Sequence, residues 1–245
     1  MKPCLALFAL PLLLLAGCGG SKSGNDNTVQ AAAVAAVAPP AGKQWSDIVS
    51  KTADGGYRMG NPDAPIKLIE YGSRTCPHCA AFDQQGVPEL KKNYVDTGKV
   101  SYEFRDYPVH AALDMAPILL GRCVDPDSYF AMLDQMMANQ QTFMDKLSSL
   151  DQSKMQGLSP SQATVVLAQQ LGYLDFVKAR GVPQDKAMAC LTDKAAIDGI
   201  AQRTQDANQK YNITGTPTFI LNGDVLPASD DEWSGLKARL QAAGA

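Results

Sequence analysis

Apolar and polar residues follow two different periods along this chain, and the period changes at identifiable points. Val100, Tyr102 and Phe104 alternate with Ser101, Glu103 and Arg105, the period-two pattern of a strand with one face on a core. Upstream, Tyr57 to Met59 reads as a short strand, Gly60-Asn61-Pro62-Asp63-Ala64-Pro65 as a turn, and Ile66 to Tyr71 as an apolar-rich strand. Ala80, Phe82, Val87 and Leu90 then recur at helical spacing, with Gly86-Val87-Pro88 placed to kink the helix. From Ala111 to Tyr211 the strand signal vanishes. Within that block, Ser159-Pro160-Ser161-Gln162 has the form of a helix start, with proline in the first turn and a glutamine able to close a capping box. Ile197, Ile200, Ala201, Thr204 and Tyr211 fit one helix within Asp193 to Tyr211. Thr218 to Leu221 reads as a strand, Asn222-Gly223 as a tight hairpin turn, Asp224 to Leu226 as its partner, and Asp231 to Ala242 as a closing helix. The pattern is an α/β domain, residues 45–110 and 212–245, interrupted by a helical insertion at 111–211.

The N-terminal segment has a different character. Lys2 and the apolar stretch Leu5 to Ala16 form a secretory signal over residues 1–17, too short for a permanent membrane span. It ends in Leu15-Ala16-Gly17-Cys18, which resembles the lipobox of bacterial lipoproteins, so Cys18 is the expected lipidation site; the alternative is an ordinary signal cleaved nearby. Residues 18–44, rich in Ser, Asn, Gly and then Ala, lack a period that could bury a face and read as a flexible tether. About 25 such residues reach roughly 25 to 30 Å.

Composition narrows the function. A hydrophobic share of 45% in 245 residues supports a real core, and 19% charged residues with a net charge of −3 offer no basic surface for nucleic acid. Loss of the signal leaves 21 basic against 25 acidic side chains. An exported, lipid-tethered chain lives where disulfides persist.

Cys76-Pro77-His78-Cys79 opens the helix that follows the Ile66 to Tyr71 strand. Unpaired N–H groups and the positive dipole end at a helix N-terminus favour a thiolate at Cys76, and His78 adds a donor or positive charge. Cys79, one turn on, is placed to be buried and to resolve a mixed disulfide. Half of a zinc site would need a second ligand pair, and Cys123, Cys190 and His110 are poorly spaced for one; no metal is expected. Glu70, six residues before Cys76, could exchange a proton with Cys79 if buried; otherwise it is a solvated strand-end acid. Thr216-Pro217 alone is an unremarked strand start.

Glu70, Cys76-Pro77-His78-Cys79, the helical insertion, Gly215-Thr216-Pro217-Thr218-Phe219 and the Gly60-to-Pro65 turn together resemble the DsbA-type thiol:disulfide oxidoreductases, over roughly Tyr57 to Leu240. The resemblance implies a thioredoxin fold, with Cys76 the exposed nucleophile, Cys79 the resolving thiol, Glu70 the buried acid and Pro217 a cis proline facing them. It implies that Thr216 pairs by its backbone with an extended substrate. It also implies no cofactor beyond the redox disulfide, folding exported proteins as substrates, and a DsbB-type membrane redox partner. Threonine before the proline departs from the valine of many oxidases and is shared with isomerases and reductases, which leaves the direction of electron flow open. A Cu(I) metallochaperone using both thiolates is the alternative of another class.

With Cys4 lost in the signal and Cys18 lipidated, the tight Cys76 to Cys79 loop leaves Cys123 to pair with Cys190 in a structural disulfide; two reduced core cysteines are the alternative. Met132, Met136, Met137 and Met144, near Tyr129, Phe130 and Phe143, read as core packing rather than a substrate groove, and His110 as an unpaired loop residue.

Overall fold

A computed structural model describes residues 31–245. Lys2, Cys4 and the lipidation candidate Cys18 lie outside the described residues. The core of the molecule is a six-stranded sheet in the order β1-β2-β4-β3-β5-β6, built from Val49–Lys51, Tyr57–Met59, Ile66–Gly72, Val100–Asp106, Thr218–Leu221 and Asp224–Val225 as β1 to β6. Only β3 and β4 pair in parallel, with Glu70 opposite Phe104; the other pairs are antiparallel. The crossover between β3 and β4 carries α1 (Pro77–Gln85) and α2 (Val87–Leu90), which break at Gly86 where the Gly-Val-Pro sequence predicts a kink. β1 escaped the sequence pattern because its three residues are too few to show a period.

The period-two reading sorts the two sheet faces. Leu68, Phe104 and Phe219 join a core beneath α1 and α10 (Trp233–Ala242), where the Phe82 and Phe219 rings meet edge to face at 4.8 Å. Tyr71, Tyr107 and Ile220 face the other way, against Ala207 of α9 (Lys194–Tyr211). Ser101 and Glu103, read as the solvent side of β4, are buried, because β4 is an interior strand covered on both faces. The hairpin turn at Asn222-Gly223 has positive φ at both residues (53° and 98°), as a tight turn of this sequence requires. Asn222 also prolongs the pairing of β5 with β3: its side-chain oxygen accepts from Lys67 N–H, and its own N–H donates to the Lys67 carbonyl.

The insertion is helical from α3 (Ala112–Gly121) through α4 (Tyr129–Ala138), α5 (Gln140–Met144), α6 (Pro160–Leu171), α7 (Tyr173–Lys178) and α8 (Gln184–Leu191) to α9. At the head of α6, Ser159 and Gln162 close the capping box reciprocally. Met132 and Met136 are buried in the insertion core, as their spacing indicated. The insertion is not a separate body, however: Phe130, Leu133 and Met137 of α4 belong to the core shared with the sheet and α1.

Residues 31–44 differ from the expected tether. Ala31 and Val34 N–H groups donate to the carbonyls of Ala242 and Gly244, Val37 N–H donates to Thr97, and Trp45 Nε1 donates to the Val37 carbonyl at 2.7 Å. These bonds run through backbone groups, so side-chain periodicity does not announce them. Among the described residues, no helix is long and apolar enough to cross a membrane.

Candidate active site

Cys76 is the N-cap of α1, in extended conformation, with Pro77 in the first turn. Proline costs this position nothing, since the first N–H groups of a helix lack intrahelical partners. The remaining free N–H groups point toward the Cys76 sulfur. Both cysteines are thiols in this structure. Cys76 is held down to about 5, first by a hydrogen bond from the Cys79 thiol, against the opposing effect of burial, with further pulls from the Thr216 side chain and the backbone N–H groups of Cys79 and His78. The contribution of His78 is therefore its backbone N–H; its side chain is exposed to solvent. Cys79 behaves oppositely. Burial, the hydrogen bond to Cys76 and the nearby charges of Glu70 and Cys76 push it well above the ordinary thiol value, though Ser73 N–H donates to its sulfur at 3.4 Å.

Cys76 is not the exposed residue the resemblance implied: only 6% of its surface is accessible. The chain segment around Thr216 covers it, and the Cys76 thiol donates to the Thr216 carbonyl at 3.1 Å. The Thr216-Pro217 peptide is cis. Thr216 Oγ1 is buried without a hydrogen-bond partner.

Glu70 lies on β3 beneath α1 and is 1% exposed, so the solvated strand-end alternative does not apply. Burial raises it to about 8, even though the Tyr102 hydroxyl donates to its carboxylate; the charges of Asp83 and Cys76 raise it further. At neutral pH it is therefore mostly protonated.

A second layer of residues fixes the turn before the motif. Ser73 Oγ donates to Asp114 at 2.6 Å, and Thr75 Oγ1 sits 2.8 Å from Asp114 and 2.7 Å from His110 Nδ1. Thr75 Oγ1 therefore links the His110 ring to the same carboxylate that holds Ser73. His110 N–H also donates to Asp114, so the residue expected to be unpaired is bound into the turn. The Gln140 amide bridges the carbonyls of Arg74 and Cys76 at 3.0 and 2.9 Å. Fully buried Arg74 pairs with Asp106 at 2.9 Å, and Asp106 also accepts from Arg122 and Tyr129. None of these partners is within 30 residues of its mate except His110 with Asp114 and Arg122 and Tyr129 with Asp106, and none falls in a recognisable motif; only the local polar cluster Ser73-Arg74-Thr75 hinted that the turn is held from outside.

Beside the motif, His78, Phe82, Gln85, Asp231 and Trp233 line a groove of about 590 Å³. It adjoins a hollow of about 170 Å³ along Tyr211, Thr216, Pro217 and Leu226, and Ala228 and Asp231 line both. Burial raises Asp231 to about 6, against a downward pull from His78. Away from this region, Cys123 at the end of α3 and Cys190 in α8 form a disulfide at 1.99 Å.

A sheet in this order, with a Cys-Pro-His-Cys helix start facing a cis proline, defines a thioredoxin-type redox site. The sequence matches the Thioredoxin family over residues 52–239, and the chain belongs to that family. Within it, the chain groups with the DsbA-like thiol:disulfide oxidoreductases. It is 31% identical to the protein-disulfide isomerase of Novosphingobium aromaticivorans, whose crystal structure superposes with a TM-score of 0.73 over 78% of this chain and 98% of that one. Disulfide bond formation protein D of Bacillus subtilis is 25% identical over 189 residues, 75% of this chain and 76% of that protein. A Rickettsia bellii protein provisionally described as a protein-disulfide oxidoreductase is 29% identical over 165 residues, 67% of this chain; the chain spans just over half, 56%, of that relative's length.

Proposed function

We propose that this chain is an exported oxidase that donates the Cys76–Cys79 disulfide to folding proteins. The asymmetry of the two thiols supports the reading: a thiolate held down to about 5 stabilises the reduced pair and so makes the disulfide a strong oxidant. In the forward step a substrate thiolate attacks the Cys76 sulfur, the Cys76–Cys79 bond breaks, and its electron pair leaves on Cys79. Glu70, protonated below about pH 8, can supply the proton that Cys79 takes up. A second substrate thiolate then attacks the substrate sulfur of the mixed disulfide, and Cys76 departs as a stable thiolate. The groove along Phe82, Trp233 and Pro217 gives an extended peptide a place to lie.

The site needs no cofactor beyond its own disulfide. Reoxidation falls to a membrane partner of the DsbB type, and Cys18 is the point at which a lipid would hold the protein to a membrane facing the periplasm. The carbonyl of Thr216 beside the Cys76 sulfur occupies an approach that a bound Cu(I) would need, so the geometry gives the metallochaperone alternative no support.

A reductase or isomerase role is the second reading, favoured by Thr216 and by the isomerase named among the similar structures. The reduction potential separates the two. An oxidase lies well above the value of thioredoxin, about −270 mV, and restores disulfide formation in an oxidase-deficient strain. A potential at the thioredoxin value without such rescue reverses the assignment.

A further inference from the structure

A cavity of about 270 Å³ opens on the sheet face that carries Tyr71, opposite to the face of Glu70. Its walls come from the loop before β2, the end of β4, the end of α3 and one side of α9, and they bring four cations together: Arg105, Arg122, Arg203 and Lys210. Two of these are already committed. Arg105 donates to Asp54, Glu103 and the Tyr71 hydroxyl, and Arg122 donates to Asp106 and the Gly55 carbonyl. The carboxylates in the walls also have partners: Asp54 is paired with Arg105, Asp106 with Arg74, Arg122 and Tyr129, and Asp206 accepts from the neutral Gln202 amide.

Arg203 stands apart. Among the described residues its guanidinium has no hydrogen bond and no ion pair, although it is half-buried. It is lodged between Gly55 and Gly199: a Cβ on Gly55 would come within 2.7 Å of its Cδ, so that position must lack one for the side chain to sit there, and a Cβ on Gly199 would come within 2.9 Å of its terminal Nη1. Burial, and then the charge of Arg122, disfavour its protonated form, and the nearby charge of Asp106 offsets them only in part. A partly desolvated cation beside a like charge is costly unless an anion compensates it, and a guanidinium fork suits an oxyanion with two oxygens.

We propose that this cavity binds a small oxyanion, a phosphate or carboxylate group, with Arg203 as its principal ligand and Arg122 and Lys210 completing the positive wall. The site is remote from the thiols and does not depend on the redox assignment.

Thermal unfolding of the chain with inorganic phosphate or succinate, against chloride at equal ionic strength, tests it. A saturable rise in Tm is expected with at least one of the two, because a ligand that binds only the folded state stabilises it. A response to phosphate alone identifies a phosphate site, and one that includes succinate a carboxylate site. Arg203→Ala should weaken binding by about tenfold or more, the worth of one charge-assisted pair, while leaving thiol exchange and the Tm in chloride no lower than in the parent. Arg203→Glu should raise the Tm in chloride, since it supplies within the chain the anion that Arg122 and Lys210 face, and should abolish the response to added anion. No response to either anion, or an undiminished one in Arg203→Ala, overturns the site.

Discussion

The Thr216 carbonyl accepts a hydrogen bond from the Cys76 thiol at 3.1 Å, across 140 residues of chain, while the Thr216 hydroxyl beside it is buried without a partner. The thiol form of Cys76 uses the carbonyl. The thiolate can no longer donate, and it becomes an acceptor for that hydroxyl. Thr216→Val keeps the shape and removes the donor, so the pKa of Cys76 should rise by about one unit, the scale of one hydrogen bond to a charged group. Thiolate absorbance near 240 nm, followed against pH, reads this directly. An unchanged or lower pKa would exclude the hydroxyl from stabilising the thiolate.

Glu70 has an effect on stability opposite in sign to that of a salt-bridged acid. Its folded value, about 8, lies above the ordinary 4.5, so the folded state binds the proton more tightly than the unfolded state. Stability therefore falls as pH rises from about 4.5 toward 8 and is flat beyond. Glu70→Gln keeps an acceptor for the Tyr102 hydroxyl but cannot ionise, and it should be more stable than the parent by roughly 3 kcal/mol at pH 7. Resolution of a mixed disulfide by Cys79 should slow in the same variant. A resolution rate equal to that of the parent would remove Glu70 from proton transfer.

What the sequence shows is what is local. The alternation at Val100 to Arg105, the Ser159-to-Gln162 cap, the Asn222-Gly223 turn and the Cys-Pro-His-Cys helix start are each written within a few residues, and each is found where the pattern puts it. The polar shell of the site is not local. Gln140 reaches the Cys76 carbonyl from 64 residues away and Asp114 meets Ser73 across 41, by side chains whose types are common on any surface. The packing of residues 31–37 was invisible for a different reason: its bonds to Thr97, Ala242 and Gly244 use backbone atoms that every sequence possesses. Even at the motif, the covering of Cys76 by Thr216 depends on how β5 is brought beside β3, which no period along either strand encodes.

The Cys123–Cys190 disulfide ties the end of α3 to α8 across a sequence separation of 67. Both ends lie in the insertion core, so the bond constrains that block in the unfolded chain rather than the thiols of α1. Replacing both cysteines by alanine should cost about 2 to 4 kcal/mol in urea unfolding and leave the potential of the Cys76–Cys79 pair unchanged. Denaturation curves and glutathione equilibration measure the two effects separately. A shifted potential in the variant would show that this disulfide regulates the site.

Asp106 stands at the junction of Arg74, Arg122 and Tyr129, and its removal tests how the turn before Cys76 is held. Burial works against its charge, but Arg74 and Arg122 hold its carboxyl below the ordinary 3.8. The unfolded state therefore takes up its proton first as pH falls. The stability it contributes is complete above that ordinary value and is lost as the pH drops through the lower folded one, the reverse of the trend at Glu70. Asp106→Asn leaves Arg74 fully buried without a counter-charge, and breaking a buried pair from one side costs about 3 to 5 kcal/mol. Urea unfolding at pH 7 should show that loss, and the gap between variant and parent should narrow at pH values below the ordinary carboxylate range. Because the Arg74 carbonyl shares the Gln140 amide with that of Cys76, the variant should also exchange thiols more slowly. A variant as stable as the parent at pH 7, with unchanged exchange, would mean that Gln140 and the Ser73–Asp114 bond hold the turn without the ion pair.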